Sequence, residues 1–204
     1  MSDVMKKLLM TVLRDRNTTI AAFRHAAGQL AAIIAAEAAN FMACKQVDLV
    51  TPIAPATGLV LQHNIVLVPI LRSGLVLLPA FLRNFERATV GCVGLRRDEV
   101  TAIPKLYYKN LPPMKKTDEV IVLDPMIATG GSAVAALEIL VNDGVPEEKI
   151  LFAAVISAPQ GLAHIRARFP RITITVACED EDLTPHKFIV PGLGDFGDRY
   201  FGTL

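Results

Sequence analysis

Apolar positions along the chain fall into two rhythms, one helical and one of short continuous runs. Residues 19–44 repeat apolar side chains at helical spacing, and Asn17, Thr18 or Thr19 can cap the start by accepting free amide hydrogens of the first turn. Residues 47–55 form a short extended run with two prolines, suited to a loop or an edge strand. From Asn64 the pattern changes. Ile65-Val66-Leu67-Val68 is a β-branched run, followed by Pro69-Ile70-Leu71-Arg72-Ser73-Gly74 and a helical stretch to about 83. Further strands are expected over 89–95, 119–123, 150–157 and 172–177, with helices over 132–142 and 159–169. Unbroken apolar strands alternating with helices are what a parallel sheet covered on both faces requires. The expected fold is α/β, a doubly wound, mainly parallel sheet with an N-terminal helix.

Two regions break the rhythm. Residues 96–116, rich in Lys, Tyr and Pro, read as a flap hairpin beside the sheet, and the glycine-rich segment 180–204 must pack on the domain in another way. No repeat or linker divides the chain, so 1–204 is read as one domain.

Composition narrows the classes. Hydrophobic residues make up 52% of the 204, enough for a core without disulfides or metals. The formal net charge of +1 argues against a protein built to coat nucleic acid. Cys44, Cys92 and Cys178 lie far apart in apolar stretches with no CxxC spacing, which reads as buried thiols in a reducing compartment. The four histidines form no ligand pair. The N-terminus has Lys6 and Lys7 before an apolar run, but the run stops at Arg14 without a cleavage site. The longest apolar stretch, 30–39, is too short to span a bilayer. A cytoplasmic protein with no membrane partner is expected.

The chemistry concentrates in Glu119 to Leu140, EVIVLDPMIATGGSAVAALEIL. A buried strand ends in Asp124, a short loop holds Thr129, Gly130, Gly131 and Ser132, and a helix begins at once. Glycines let the backbone approach an anion, the first-turn amides point at it, and the helix dipole favours negative charge. The two hydroxyls add donors. This is a site for a monoester phosphate at the carboxyl end of a strand, where open α/β sheets bind ligands. No Lys follows the glycines, so it is not a Walker loop. Gly192-Leu193-Gly194-Asp195-Phe196-Gly197 spells GxGxxG, but seven residues after it cannot supply a helix and a second strand.

DPMIATGGSA, the upstream VPILRSG and the tail IVPGLGDFGDRYFGT together resemble the type I phosphoribosyltransferases, and Asp124-Pro125 points to their uracil branch. The resemblance runs from about Arg14 to the end. It implies a uracil phosphoribosyltransferase acting in pyrimidine salvage, which joins uracil and 5-phosphoribosyl 1-diphosphate to give UMP and diphosphate. Asp124 is then expected to face the ribose hydroxyls, and Ala128, Thr129, Gly130, Gly131 and Ser132 to cradle the 5-phosphate, with Pro125, Met126 and Ile127 in the same donor segment. Arg72 and Arg97 are expected to reach the leaving diphosphate, so that Asp124, Arg72 and Arg97 carry the chemistry. Ser73 stands where the usual motif has Ala. Mg²⁺ is expected, held mostly by substrate oxygens, with no metal cluster of the protein's own.

By the same resemblance Ile189, Gly194, Asp195 and Phe196 line the uracil pocket, Asp195 also meeting the donor. Uracil presents acceptor, donor and acceptor, which backbone groups can read where glycines permit close approach. Phe196 stands where many relatives have Ala, and a tighter pocket wall is expected. Lys105, Tyr107, Tyr108 and Lys109 are candidate lid residues that exclude water from an activated ribose. Asp198 and Arg96 read as a turn residue and a surface cation. Relatives are commonly homodimers or homotetramers, some activated by GTP, and the N-terminal helix offers an apolar interface. The alternatives are an enzyme of the same fold acting on a purine or orotate, and a phosphoribosyltransferase-like RNA-binding regulator of pyrimidine genes.

Overall fold

The structure, a computed structural model, describes residues 2–97 and 104–203, leaving aside the side chains of Ser2 and Arg97. Two helices open it, α1 (Ser2–Arg14) and α2 (Ile20–Ala38). A hairpin follows, β1 (Cys44–Val50) with β2 (Pro55–Leu61), then β3 (Ile65–Leu71) and α3 (Leu78–Asn84). Next come β4 (Thr89–Val90), β5 (Cys92–Arg97) and β6 (Pro104–Asn110). The glycine-loop region is β7 (Glu119–Leu123), β8 (Met126–Ile127) and α4 (Gly131–Asn142). The chain continues through β9 (Ile150–Ser157), α5 (Pro159–Arg168) and β10 (Thr173–Glu179), and ends in β11 (Asp182–Leu183), β12 (Ile189–Val190) and α6 (Phe196–Phe201).

The main sheet runs β10-β9-β7-β3-β5-β6, with β4 beside β3 and β8 beside β9. All its pairings are parallel except β5 with β6. Alternate residues of each central strand enter opposite cores. Leu67, Ile121, Leu123 and Ala153 pack toward α1, α2 and α3. Val66, Val68, Val122, Phe152 and Ala154 pack toward α4 and α5. Coverage on both faces is why these strands read as continuous apolar runs. Full burial of each such side chain contributes about 1.5–3 kcal/mol, so the doubly wound sheet expected from the sequence follows from its residues.

Four local expectations shift. The helix expected over 19–44 stops at Ala38, passes through a 3-10 turn over Ala39–Phe41, and gives way to β1. The run at 47–55 belongs to a detached antiparallel hairpin, β1 with β2, whose apolar side chains Val50, Ile53 and Leu59 stand in the open. The strand expected at 89–95 breaks at Gly91, where any Cβ would press on Leu111 and Pro112. The cysteines are free but not buried: Cys44 is exposed, Cys92 and Cys178 partly so. Among the described residues no helix is long and apolar enough to cross a membrane.

Of the three candidate caps, Thr19 starts α2, its hydroxyl accepting from the Ala22 amide at 3.3 Å. Replacing Thr19 with Ala is expected to lower stability by about 1 kcal/mol, read as a shift of the urea midpoint without a change of slope.

Candidate functional site

β3 and β7 are neighbours in the sheet, and their carboxyl ends lie at one edge. Asp124 follows β7 there, its amide donating to the Ala153 carbonyl at 3.2 Å. The Pro125 carbonyl accepts from the amides of Val155 and Ile156, each at 3.0 Å, and β8 then pairs with β9. Segment 125–127 is therefore drawn onto β9, which leaves Ala128 to Ser132 to turn across the sheet edge.

That turn is fastened by backbone. Gly130 has φ of +78°, a left-handed conformation that costs a side chain but not glycine. A Cβ on Gly130 would sit 2.7 Å from the Gly161 carbonyl in the first turn of α5. His164, also on α5, donates from Nδ1 to the Thr129 carbonyl at 3.0 Å. Gly130 is the N-cap of α4, with no side-chain cap and no acidic residue in the first turn. The opening amides of α4 have no partner inside the helix. A helix start with neither an acidic residue nor a cap of its own is suited to an outside anion.

The loop faces a cleft of about 320 Å³. One wall holds Asp124, Met126, Ala128 and Ser132, and the floor includes Ile70, Leu71 and Ser73 from the end of β3. The Leu71–Arg72 peptide at this edge is cis. Facing them are His186, Lys187 and Phe188 from the turn of the β11–β12 hairpin, then Ile189, Gly194 and Asp195. Leu95 on β5 completes the lining. The cleft thus carries two carboxylates, a lysine, an imidazole and a helix start around a small apolar floor. It suits a ligand with a charged end and a flat neutral end.

Relatives agree with that description. A family model described as uracil phosphoribosyltransferase matches residues 1–203. The chain belongs to the uracil phosphoribosyltransferase family. It is 44% identical over 195 residues to a uracil phosphoribosyltransferase of Dictyoglomus thermophilum, covering 95% of this chain and 93% of that one. A Bacillus cereus protein of the same name is 40% identical over 195 residues, with 95% and 92% covered. A solved protein of Aquifex aeolicus superposes with a TM-score of 0.87 at 33% identity, covering 96% and 93%. A hypoxanthine-guanine phosphoribosyltransferase of Bacillus anthracis shares the fold, with a TM-score of 0.51 at 14% identity and 79% and 80% covered. The chain is an enzyme of the pentosyltransferase class.

Within this member of the family, the residues expected at the site divide. Asp124, Met126, Ala128, Ser132, Ile189, Gly194 and Asp195 line one cleft. Thr129, Gly130 and Gly131 form the adjoining turn and helix start. Pro125 and Ile127 are buried and serve as anchors of the loop. Arg72 lies beside the cleft and turns toward α6, its Nη2 3.5 Å from Asp198 Oδ1 and its guanidinium over the Phe201 ring at 5.3 Å. Arg97 closes β5, and its side chain is outside the described residues, as is 98–103 of the flap.

Three expectations change. Phe196 is not a wall of the cleft: its ring is wholly buried, edge-on to Phe23 of α2 with centroids 5.1 Å apart. Asp195 caps α6 and so faces the cleft while the next side chain turns into the core. Lys109, expected in a lid, pairs with Asp143 at 2.7 Å, beyond the far end of α4 from the glycine loop. Asp198 is more than a turn former, since it bonds both Arg72 and the Thr203 hydroxyl. Ser73 lines the cleft with its hydroxyl against Gly197, where a Cβ would lie 2.8 Å from it. His186, Lys187 and Leu95 were missed in sequence. Thr184-Pro185 announced a turn, but only the β11–β12 pairing brings that turn over the cleft.

Phe196→Ala is expected to behave as a core truncation, costing about 3–5 kcal/mol in a denaturant titration. Unchanged stability would contradict its place in the core.

Proposed function

We propose that the enzyme transfers the phosphoribosyl group of 5-phosphoribosyl 1-diphosphate to uracil, giving UMP and diphosphate, as a step of pyrimidine salvage. The observation that carries this reading is one shared cleft: Asp124 and Ser132 line it together with Ile189, Gly194 and Asp195. The turn from Ala128 to Ser132 suits the 5-phosphate, and Asp124 at the strand end suits the ribose hydroxyls. The segment 189–195 offers backbone groups to the base. Uracil's acceptor, donor and acceptor edge would leave one partner unmatched if cytosine took its place.

In the reaction the anomeric carbon loses its bond to the diphosphate oxygen and gains one to a ring nitrogen of uracil, whose proton leaves to solvent. Positive charge grows on the ribose and negative charge on the leaving group, so fixed groups that meet those charges lower the barrier. Asp124 is suited to the first task, while Arg72 and Arg97 are suited to the second. Arg72 must exchange its Asp198 contact for diphosphate to do so. Positioning and charge stabilisation are expected to carry most of the rate.

Among the described residues no three His, Cys, Asp or Glu side chains gather as a metal site. The donor set fits a hard cation brought in on substrate oxygens, with the Asp124 and Asp195 carboxylates as its protein neighbours. Mg²⁺ so bound would neutralise charge on the leaving diphosphate. Exposed apolar residues on α1, among them Val4 and Leu8, and on the β1–β2 hairpin support a homo-oligomer.

The test is an incubation with 5-phosphoribosyl 1-diphosphate and Mg²⁺, offering uracil, cytosine, hypoxanthine and orotate separately. UMP from uracil alone is expected, with Asp124→Ala lowering kcat/KM by at least roughly a hundredfold. Donor binding without product from any base would replace the reading by that of a regulator, and RNA binding would then be measured.

A further inference from the structure

The helix α1 contributes nothing to the cleft lining among the described residues, yet two arginines tie its last turn to the base wall. Arg14, the final residue of α1, forks around Asp180. Its Nη1 donates to Asp180 Oδ2 at 2.8 Å and to the Gly192 carbonyl at 2.8 Å, and its Nη2 bonds Asp180 Oδ1 and reaches Cys178 Sγ at 3.3 Å. The Asp180 side chain is 4% exposed and accepts in turn from the Gly192 amide at 2.7 Å. Both backbone groups of Gly192 are therefore held by one ion pair. Gly192 has φ of +64°, and any Cβ there would be driven into the Ile189 carbonyl, so this conformation calls for glycine.

The second arginine works from the other side. Arg199 of α6 donates from Nη1 to the carbonyls of Leu13 and Leu193, the latter at 2.7 Å, and from Nη2 to the Asp15 carbonyl at 2.6 Å. Its guanidinium lies 4.5 Å from the centre of the Phe23 ring. Residues 192 and 193 are thus gripped immediately before Gly194 and Asp195 enter the cleft. Asp180 fits this role electrostatically. Burial pushes its carboxyl up, but the Arg14 hydrogen bond, the Gly192 amide and the Arg14 charge outweigh that and hold it below its usual range.

We propose that Arg14 and Arg199 are positioning residues for the base wall, through which the end of α1 sets affinity for the base without touching it. This rests on the reading of 189–195 as the base side of the site. The donor side has its own fastenings, the bonds of 124–130 to β9 and α5, and neither arginine reaches them.

Arg14→Lys and Arg199→Lys test this. Lysine keeps the positive charge, so Asp180 is not abandoned as a buried anion, but it cannot span the fork. Michaelis constants for both substrates are measured together with hydrogen–deuterium exchange of the backbone. The uracil KM is expected to rise roughly tenfold, the loss of a charge-assisted contact, while the donor KM rises by a smaller factor, since of the displaced residues only Asp195 also meets the donor. Exchange should quicken over 191–196 and stay unchanged over 126–132. Equal rises in both constants, or folded variants with undisturbed exchange at 191–196, would overturn the proposal. If the wild-type enzyme takes another base, the uracil reading falls, and the same split on that base still decides the matter. Exchange decides it without any turnover.

Discussion

Everything at the site depends on β7 being buried on both faces and paired on both edges. Glu119 to Leu123 are all buried, with β3 on one side and β9 on the other. A backbone so placed has every polar group committed to the ladder, and its side chains are committed to two cores. No chemistry can be carried along the strand. It is carried where the strand stops, and because the neighbours are parallel they stop at the same edge. Asp124, the turn after β3 and the glycine loop before α4 meet there for that reason.

The two halves of the cleft are made by different physics. The side proposed for the donor is local: from Asp124 to the start of α4 it is shaped by backbone bonds to β9 and α5 and by one left-handed glycine. The side proposed for the base has no long strand to lean on. β11 and β12 are two residues each, and α6 has six. Such short elements are not stable alone. They are fixed by side chains that arrive from far along the chain, Arg14 to Asp180 and Arg24 to the Tyr200 carbonyl among them. Phe196 adds the apolar part of the anchorage through Phe23.

That division governs what could be read from the amino-acid order. The parallel strands and the phosphate loop were legible because their signal is continuous: an apolar run, a carboxylate, glycines, a helix. The cap at Thr19 was legible among three neighbours for the same local reason. The β1–β2 hairpin was not, because its apolar residues are exposed and carry no alternation toward a core. Phe196 was misplaced because motif position says which residues surround a pocket, not which way each side chain turns. Asp195 capping α6 decides that direction. The contact between Lys109 and Asp143 spans 34 residues and leaves no trace in either segment.

Long-range fastening also has a consequence for how the site fails. Local bonds re-form quickly after a fluctuation, because little chain entropy separates the partners. The pair Arg14–Asp180 joins residues 166 apart and holds only while the whole sheet between them stands. Regions with few buried contacts and distant partners open at lower free energy than the sheet that carries them. The segment 189–196 depends on such distant partners although Ile189, Leu193 and Phe196 pack in the core, whereas residues 124–128 are bonded to the neighbouring β9. On the proposed reading, an enzyme that loses these distant fastenings while the sheet stands is expected to keep its anion site after its base site has lost shape. Affinity for a charged phosphoribosyl ligand is then a poor measure of whether the cleft is whole, and recognition of the neutral ring is a good one.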